Sequence, residues 1–226
     1  MRYIFLSDVH GRRRQLASVL ADARVRGVDR IISLGDVGGD DCLALLRQAG
    51  ALAVFGNYEV SGWRRLAPEN RAWVQGWPPL LVENGFLAVH AAPWWPEGLH
   101  NVKDFGNWLR ATPPTRAGGT ASWQSLFPYL MSEDQRWQAL AELEMAGKAV
   151  LFHGHTHQQA IWCWESANRL QRVRARAVNV DTDQRYVVGV GSVGLPEDGG
   201  WAAYALYDTD ARRIEMVRLN RPKQGE

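Results

Sequence analysis

The chain reads as an α/β protein, with an amino half of alternating strands and helices and a carboxyl half in which strands dominate. Three observations carry that reading. Continuous apolar runs recur at Tyr3–Leu6, Ile31–Leu34 and Leu52–Phe55, the pattern of strands covered on both faces. Segments with apolar residues at helical spacing separate them. After Phe152, short strand-like runs follow one another with no helical pattern between them.

In chain order, Tyr3–Leu6 is the first strand, and Gln15–Ala23 has helical spacing with a stop at Gly27. After the second strand, Ile31–Leu34, Asp40 and Asp41 cap a helix carrying Leu43, Leu45 and Leu46 that ends near Gly50. With Leu52–Phe55 as the third strand, this order predicts a parallel sheet with right-handed crossovers. Leu80–Val82 and Phe86–Val89 flank Glu83-Asn84-Gly85, and Asn-Gly is the strongest short hairpin signal. Residues 91–131 are rich in Trp, Pro and Gly, lack a firm period, and read as an irregular insertion. Ser132 and Gln135 stand at capping-box spacing ahead of a helix reaching Ala146. Ala149–Phe152 is another buried strand. The remaining strands are Ile161–Trp164, the alternating Arg172–Arg176, Tyr186–Val188, Trp201–Tyr207 and Ile214–Leu219. No linker or repeat interrupts the chain, so residues 1–226 are expected to form one mostly antiparallel-ending domain with a frayed polar tail, Arg221–Glu226.

Composition narrows the function classes. A length of 226 residues supports a large core, and 46% apolar with 22% charged residues is ordinary for a globular protein. A net charge of +2 is too small to argue for nucleic acid or a membrane surface as an obligatory partner. No run approaches the ~20 apolar residues of a membrane span. Cys42 and Cys163 read as buried free thiols, which suits a reducing compartment, and the chain enters its first strand without a signal-peptide pattern. The expectation is a cytoplasmic protein.

Seven polar residues each close a short apolar run: Asp8 and His10, Asp36, Asn57, His90, and His155 with His157. Asp8-Val9-His10 sets a carboxylate and an imidazole two residues apart beyond a strand. Gly35-Asp36 supplies a carboxylate whose two oxygens can serve two cations, and Gly56-Asn57 supplies a neutral carbonyl oxygen. Gly154-His155-Thr156-His157 offers two imidazoles two residues apart. Taken singly, each piece has a structural reading: a strand-end His is often a packing residue, and Gly-Asp is often a turn or cap. Their joint occurrence, in order and each after a strand, points to a site for two divalent ions. Mixed His, Asp and Asn ligation suits Mn²⁺, Fe²⁺, Zn²⁺, Co²⁺ or Ni²⁺ better than Ca²⁺ or Mg²⁺, and Mn²⁺ is the expected ion.

The ordered set Asp-x-His, Gly-Asp, Gly-Asn-x-Glu, His and Gly-His-x-His resembles the calcineurin-like metallophosphoesterase superfamily. Gly191-Ser192-Val193-Gly194-Leu195-Pro196 is similar to a segment of its small bacterial and archaeal phosphodiesterases. The resemblance implies a four-layer α/β/β/α sandwich with metals at the strand ends between two sheets. It assigns Asp8, His10, Asp36 and His157 to one ion, and Asp36, Asn57, His90 and His155 to the other, with Asp36 as the bridge. It further implies in-line attack on phosphorus by a metal-bridging hydroxide, and a small phosphorylated substrate, a nucleotide among the options.

One departure from the family pattern bears on substrate. Phosphomonoesterases of the superfamily carry His after the motif Asn, and here the residue is Tyr58. A phenol, with an ordinary pKa of about 10, is a poorer acid at neutral pH than an imidazolium. Phosphodiester or phosphoanhydride substrates with good leaving groups are therefore expected, with Tyr58 either a weak catalytic acid or a packing residue. A phosphomonoesterase resembling Ser/Thr protein phosphatases is the alternative; Gly38-Gly39-Asp40, in place of an Asp-Arg pair after Gly35-Asp36, stands against it. A non-catalytic scaffold of the same fold would be expected to lose ligands, and all seven are present. Glu59 is read as orienting its neighbours, and Arg12, Arg13 and Arg14 as a solvated first helical turn. Arg172, Arg174 and Arg176 read as a basic outer face, and Trp94, Trp95, Trp108 and Trp123 as packing residues or an aromatic lid.

Overall fold

The computed structural model describes residues 1–111, 123–165 and 169–221; 222–226 of the expected tail and 112–122 of the Trp-rich segment lie outside the described residues. The amino half runs β1 (Arg2–Leu6), α1 (Arg13–Val25), β2 (Arg30–Ser33), α2 (Asp40–Gln48), β3 (Leu52–Ala53), α3 (Asn57–Gly62) and α4 (Pro68–Val74). A hairpin of β4 (Leu80–Glu83) and β5 (Phe86–Val89) leads to α5 (Val102–Ala111) and α6 (Glu133–Met145). The strands β6 (Val150–His153), β7 (Gln159–Glu165), β8 (Arg169–Val173), β9 (Ala177–Asn179), β10 (Arg185–Val190), β11 (Ala202–Asp208) and β12 (Arg213–Leu219) complete the chain.

Two six-stranded mixed sheets result, ordered β3-β2-β1-β11-β12-β9 and β4-β5-β6-β10-β7-β8. Residue alternation along each strand sorts the core into layers. Phe5, Ile32, Ala205 and Tyr207 of the first sheet pack against Phe86, Phe152, Tyr186 and Val188 of the second. Phe5 stacks on Phe152 across the interface, centroids 3.7 Å apart. The alternate residues Ile4, Leu6, Tyr204 and Leu206 turn outward onto α1 and α2, where Leu16, Val19, Leu43 and Leu46 are buried. Leu87, Val89, Leu151 and Val187 do the same on the other side, under Ala139, Leu140 and Leu143 of α6. The architecture is the expected α/β/β/α sandwich.

Several local expectations are met. Glu83 faces Phe86 across the Asn84-Gly85 turn. Ser132 Oγ accepts from Gln135 N while Gln135 Oε1 accepts from Ser132 N, both at 3.2 Å. Other expectations are corrected by tertiary context. The third strand stops at Ala53 because Phe55 N turns away to donate to Pro78 O at 3.1 Å. Arg172–Arg176 is not one strand: β8 pairs with β7 in the second sheet and β9 with β12 in the first, so 174–176 carries the chain between sheets. The carboxyl half, by contrast, is mainly antiparallel as expected: β7 with β8, β10 with β7, β11 with β12 and β12 with β9 all pair that way, and β10 beside β6 is its one parallel pair among the described residues. Residues 91–131 are only partly irregular: α5 forms there, burying Val102 and Phe105. Gly106 and Asn107 dilute its apolar period in the sequence. Asp40 does not cap α2, whose N-cap is Gly39; its Oδ1 instead accepts from Ala67 N and Asn70 Nδ2, at 3.0 and 2.7 Å, tethering α4. No helix among the described residues is long and apolar enough to cross a membrane.

Candidate metal centre

Each of the seven candidates sits just past the carboxyl end of a strand that runs parallel to a neighbour: β1, β2, β3, β5 or β6. Open α/β sheets place ligand sites at such ends. The backbone there is strained. Asp8, His10, Asp36, His155 and His157 have φ between 47° and 62°, and Arg212 is the one other non-glycine with positive φ among the described residues. Left-handed conformations cost on the order of 1–3 kcal/mol each in non-glycine residues and persist where surrounding structure enforces them. Here cross-loop hydrogen bonds do so: Asp8 N to Gly35 O at 3.1 Å, His10 N to Asp36 O at 3.0 Å and Gly11 N to Val37 O at 2.9 Å.

The side chains converge in two groups. In the first, His157 Nε2 lies 3.2 Å from His10 Nε2 and 3.3 Å from Asp8 Oδ1, and His10 Nε2 lies 3.7 Å from Asp8 Oδ1 and 3.9 Å from Asp36 Oδ2. In the second, His90 Nε2 lies 3.1 Å from Asn57 Oδ1, 3.2 Å from His155 Nδ1 and 3.6 Å from Asp36 Oδ1. Asp36 thus offers one oxygen to each group. Asp8 is close to both, its carboxylate falling within 4.8 Å of the ligand atoms of Asp36 and His90 as well.

Residues 1–212 match the family model of the calcineurin-like phosphoesterase superfamily domain. The chain belongs to the calcineurin-like phosphoesterase superfamily. It is similar to a metallophosphoesterase from Sphaerobacter thermophilus of known structure (TM-score 0.71, 23% identity, 98% of this chain and 90% of that one). A structurally characterised archaeal phosphodiesterase is a more distant likeness (TM-score 0.52, 14% identity, 97% and 100% of the two chains). The uncharacterized protein MJ0912 of Methanocaldococcus jannaschii is 26% identical over 244 residues, covering 95% of this chain and 85% of its own length. Membership of the phosphoesterase superfamily makes the protein a phosphoric ester hydrolase and implies divalent metal ions.

The residues present fit such ions. His157 Nδ1–H donates to Leu195 O at 3.0 Å, and His90 Nδ1–H to Leu34 O at 2.8 Å. In the neutral rings, Nε2 is then a lone pair. His157 Nε2 faces Asp8 Oδ1, a fully buried oxygen with no hydrogen-bond partner, and His90 Nε2 faces Asn57 Oδ1. Acceptor set against acceptor is repulsive unless a proton or cation lies between them. With metal–ligand bonds of about 2.1 Å, neighbouring ligand atoms lie about 3.0–3.4 Å apart, close to the separations found in this phosphoesterase.

Charge in the site is strongly redistributed. Burial raises the Asp36 carboxyl, more than the nearby imidazoles lower it. Burial also opposes ionisation of Asp8, but His10 and His157 outweigh it and hold that carboxyl far below the usual carboxylate range. Burial would lower His90, yet Asp36, Asp8 and Glu59 raise it. His155 is pushed down to about 3 by burial and by His90.

Three contributors outside the seven hold the geometry. Glu59, buried, accepts from Asp36 N and Gly56 N at 2.8 Å and from Val37 N at 2.9 Å, which gives its expected orienting role a concrete form. Ser192 Oγ donates to Asp8 O and accepts from Leu195 N, both at 2.7 Å, so the Gly191–Pro196 run braces Asp8 and His157 together. A methyl at Gly154 would collide with Ser7 Oγ and stand 2.9 Å from Asp8 Oδ2. Tyr58 is half exposed at the rim, its ring edge-on to His10 at 5.0 Å, and its N–H donates to Asp36 Oδ1 at 2.8 Å. Sequence reasoning missed Tyr129, whose half-exposed ring stacks on His155 at 4.1 Å; nothing local in its Pro-rich segment signals that contact. Trp94, Trp95 and Trp108 pack against the cores, as one of the two readings had it, whereas the Trp123 side chain lies outside the described residues. Arg12, Arg13 and Arg14 are exposed.

Proposed function

We propose that Asp8, His10, Asp36 and His157 hold one divalent ion and Asp36, Asn57, His90 and His155 a second, Mn²⁺ in both positions, and that the enzyme hydrolyses phosphodiester or nucleotide phosphoanhydride bonds. The observation that carries the dinuclear reading is the pair of lone-pair clusters joined through the two oxygens of Asp36. Two ions bound there supply charge neutralisation at a phosphoryl group and a nucleophilic water at neutral pH. The protein's own part is orientation. Leu34 and Leu195 carbonyls fix the tautomers of His90 and His157, and Glu59 holds the Asp36 and Asn57 loops in register.

The diester preference rests on Tyr58, which stands where an imidazole would protonate a poor leaving group. Two half-exposed tyrosines, Tyr58 against His10 and Tyr129 on His155, give the rim flat apolar faces suited to an aromatic or nucleobase leaving group. Cys42 and Cys163 are free and buried, which supports a reducing, cytoplasmic setting. The test is turnover of bis-p-nitrophenyl phosphate and p-nitrophenyl phosphate by Mn²⁺-loaded and chelator-treated protein. Mn²⁺-dependent activity favouring the diester is expected. Activity indifferent to chelator would overturn the metal assignment, and a preference for the monoester would overturn the substrate assignment alone.

A further inference from the structure

On the reverse side of the His155–His157 loop lies a second cavity, of about 200 Å³. Thr156 and Gln158 line it, alternating along the loop with the two imidazoles that face the metal centre. Arg136 from α6 and Arg172 from β8 form its other polar walls together with His153, and no carboxylate is among its lining residues.

Arg136 makes this cavity chemically specific. It is 8% exposed, yet no ion pair reaches it among the described residues. Two of its N–H groups donate to the single carbonyl of Met131, at 3.0 and 2.5 Å, and its Nε has no partner. The guanidinium sits over the Trp162 ring at 3.8 Å, which offsets part of the cost of burying the charge but supplies no anion. Glu133, one turn earlier on α6, is engaged by Trp137 Nε1 at 3.2 Å. Arg172 is exposed and likewise forms no ion pair among the described residues. It also lines an adjoining cleft of about 630 Å³ that continues past Arg174 and Arg176.

We propose that this pocket is an oxyanion site, distinct from the metal centre, that takes a phosphate group between Arg136 and Arg172. Guanidinium forks pair with tetrahedral oxyanions through several charge-assisted hydrogen bonds, and the Thr156 hydroxyl, otherwise held only by a 3.5 Å bond to Gln158 O, adds a neutral donor. The phosphate is either inorganic or the end of a longer polyphosphate chain that continues across Arg174 and Arg176. The site requires neither the metal assignment nor the diester preference.

Crystals of Mn²⁺-loaded protein soaked in tungstate, a heavy tetrahedral oxyanion, test the proposal. A tungsten anomalous peak between Arg136 and Arg172, separate from any at the metal centre and lost in Arg172→Glu, is the expected result. Arg172 is exposed, so that variant keeps the fold; unchanged melting temperature checks this. Tungstate at the metal centre alone, or a peak that survives Arg172→Glu, overturns the proposal. Calorimetric titration then identifies the source of the phosphate, reading the component of binding that Arg172→Glu removes. Tripolyphosphate at least tenfold tighter than inorganic phosphate, with the difference erased by Arg174→Gln plus Arg176→Gln, supports the chain end. Equal affinities support the inorganic ion, and no Arg172-dependent component for either probe overturns the site.

Discussion

Glu59 links the ligand-bearing loops to stability more directly than any other residue outside the seven. Its carboxylate is 5% exposed and accepts three main-chain N–H groups, two on Oε2 from Asp36 and Gly56 and one on Oε1 from Val37. One side chain thus staples the loop after β2 to the loop after β3. Glu59→Ala strands three buried donors. At about 1–3 kcal/mol for each, the loss is roughly 3–9 kcal/mol, comparable with the whole stability of a typical domain. Glu59→Gln is the more informative change. A carboxamide oxygen in the Oε2 position keeps the Asp36 and Gly56 bonds, but its NH₂ then meets the Val37 N–H, donor against donor. Losing that one bond and orphaning that one group costs about 1.5–3 kcal/mol. Urea unfolding of chelator-treated protein, with Mn²⁺ titration of the same samples, reads both effects. The Gln variant should unfold at lower urea with an unchanged m-value and bind Mn²⁺ at least tenfold more weakly. An Ala variant as stable as the parent, or a Gln variant within 0.5 kcal/mol and with parental metal affinity, would refute the stapling argument.

Gly154→Ala should abolish tight Mn²⁺ binding, because the added methyl meets Ser7 Oγ and crowds Asp8 Oδ2; Gly62→Ala, with open space at its Cβ, should leave binding unchanged and serves as the control in calorimetry. Ser192→Ala removes both the donor to Asp8 O and the acceptor for Leu195 N. It should destabilise by about 1–3 kcal/mol on thermal or urea unfolding and weaken Mn²⁺ binding, and unchanged affinity would sever the brace from the site. Tyr58→His restores an imidazole at the rim. It should raise monoester relative to diester turnover with little change in melting temperature, and an unchanged ratio would remove Tyr58 from the substrate argument.

Sequence reasoning reached furthest where one chemical requirement acts on one short segment. Asp8, Asp36, His90 and the His155–His157 pair were legible because each follows an apolar run and must face a common point. The Ser132–Gln135 capping box and the Asn84-Gly85 turn were legible because their hydrogen bonds are local. What failed depended on partners far along the chain. The split of Arg172–Arg176 between sheets follows from pairing with β7 and β12, which no window around those residues contains. Asp40 looks like a cap, but Ala67 and Asn70 claim its oxygen from 27 and 30 residues away. Tyr129 reaches His155 only because the chain folds back across the site. The positive φ of five site residues was hidden for the same reason: loop-to-loop hydrogen bonds impose it, and none of these residues is a glycine.

The central claim is that one carboxylate joins two cation sites, with Asp36 Oδ2 toward His10 and Oδ1 toward His90. Mn²⁺ stoichiometry by equilibrium dialysis, on the parent and on Asp36→Asn, tests it most directly. The account predicts two ions per chain in the parent and loss of both tight sites in the variant, with the fold intact by circular dichroism. A parent that binds one ion or none, or a variant that still takes up two with parental affinity, would contradict it.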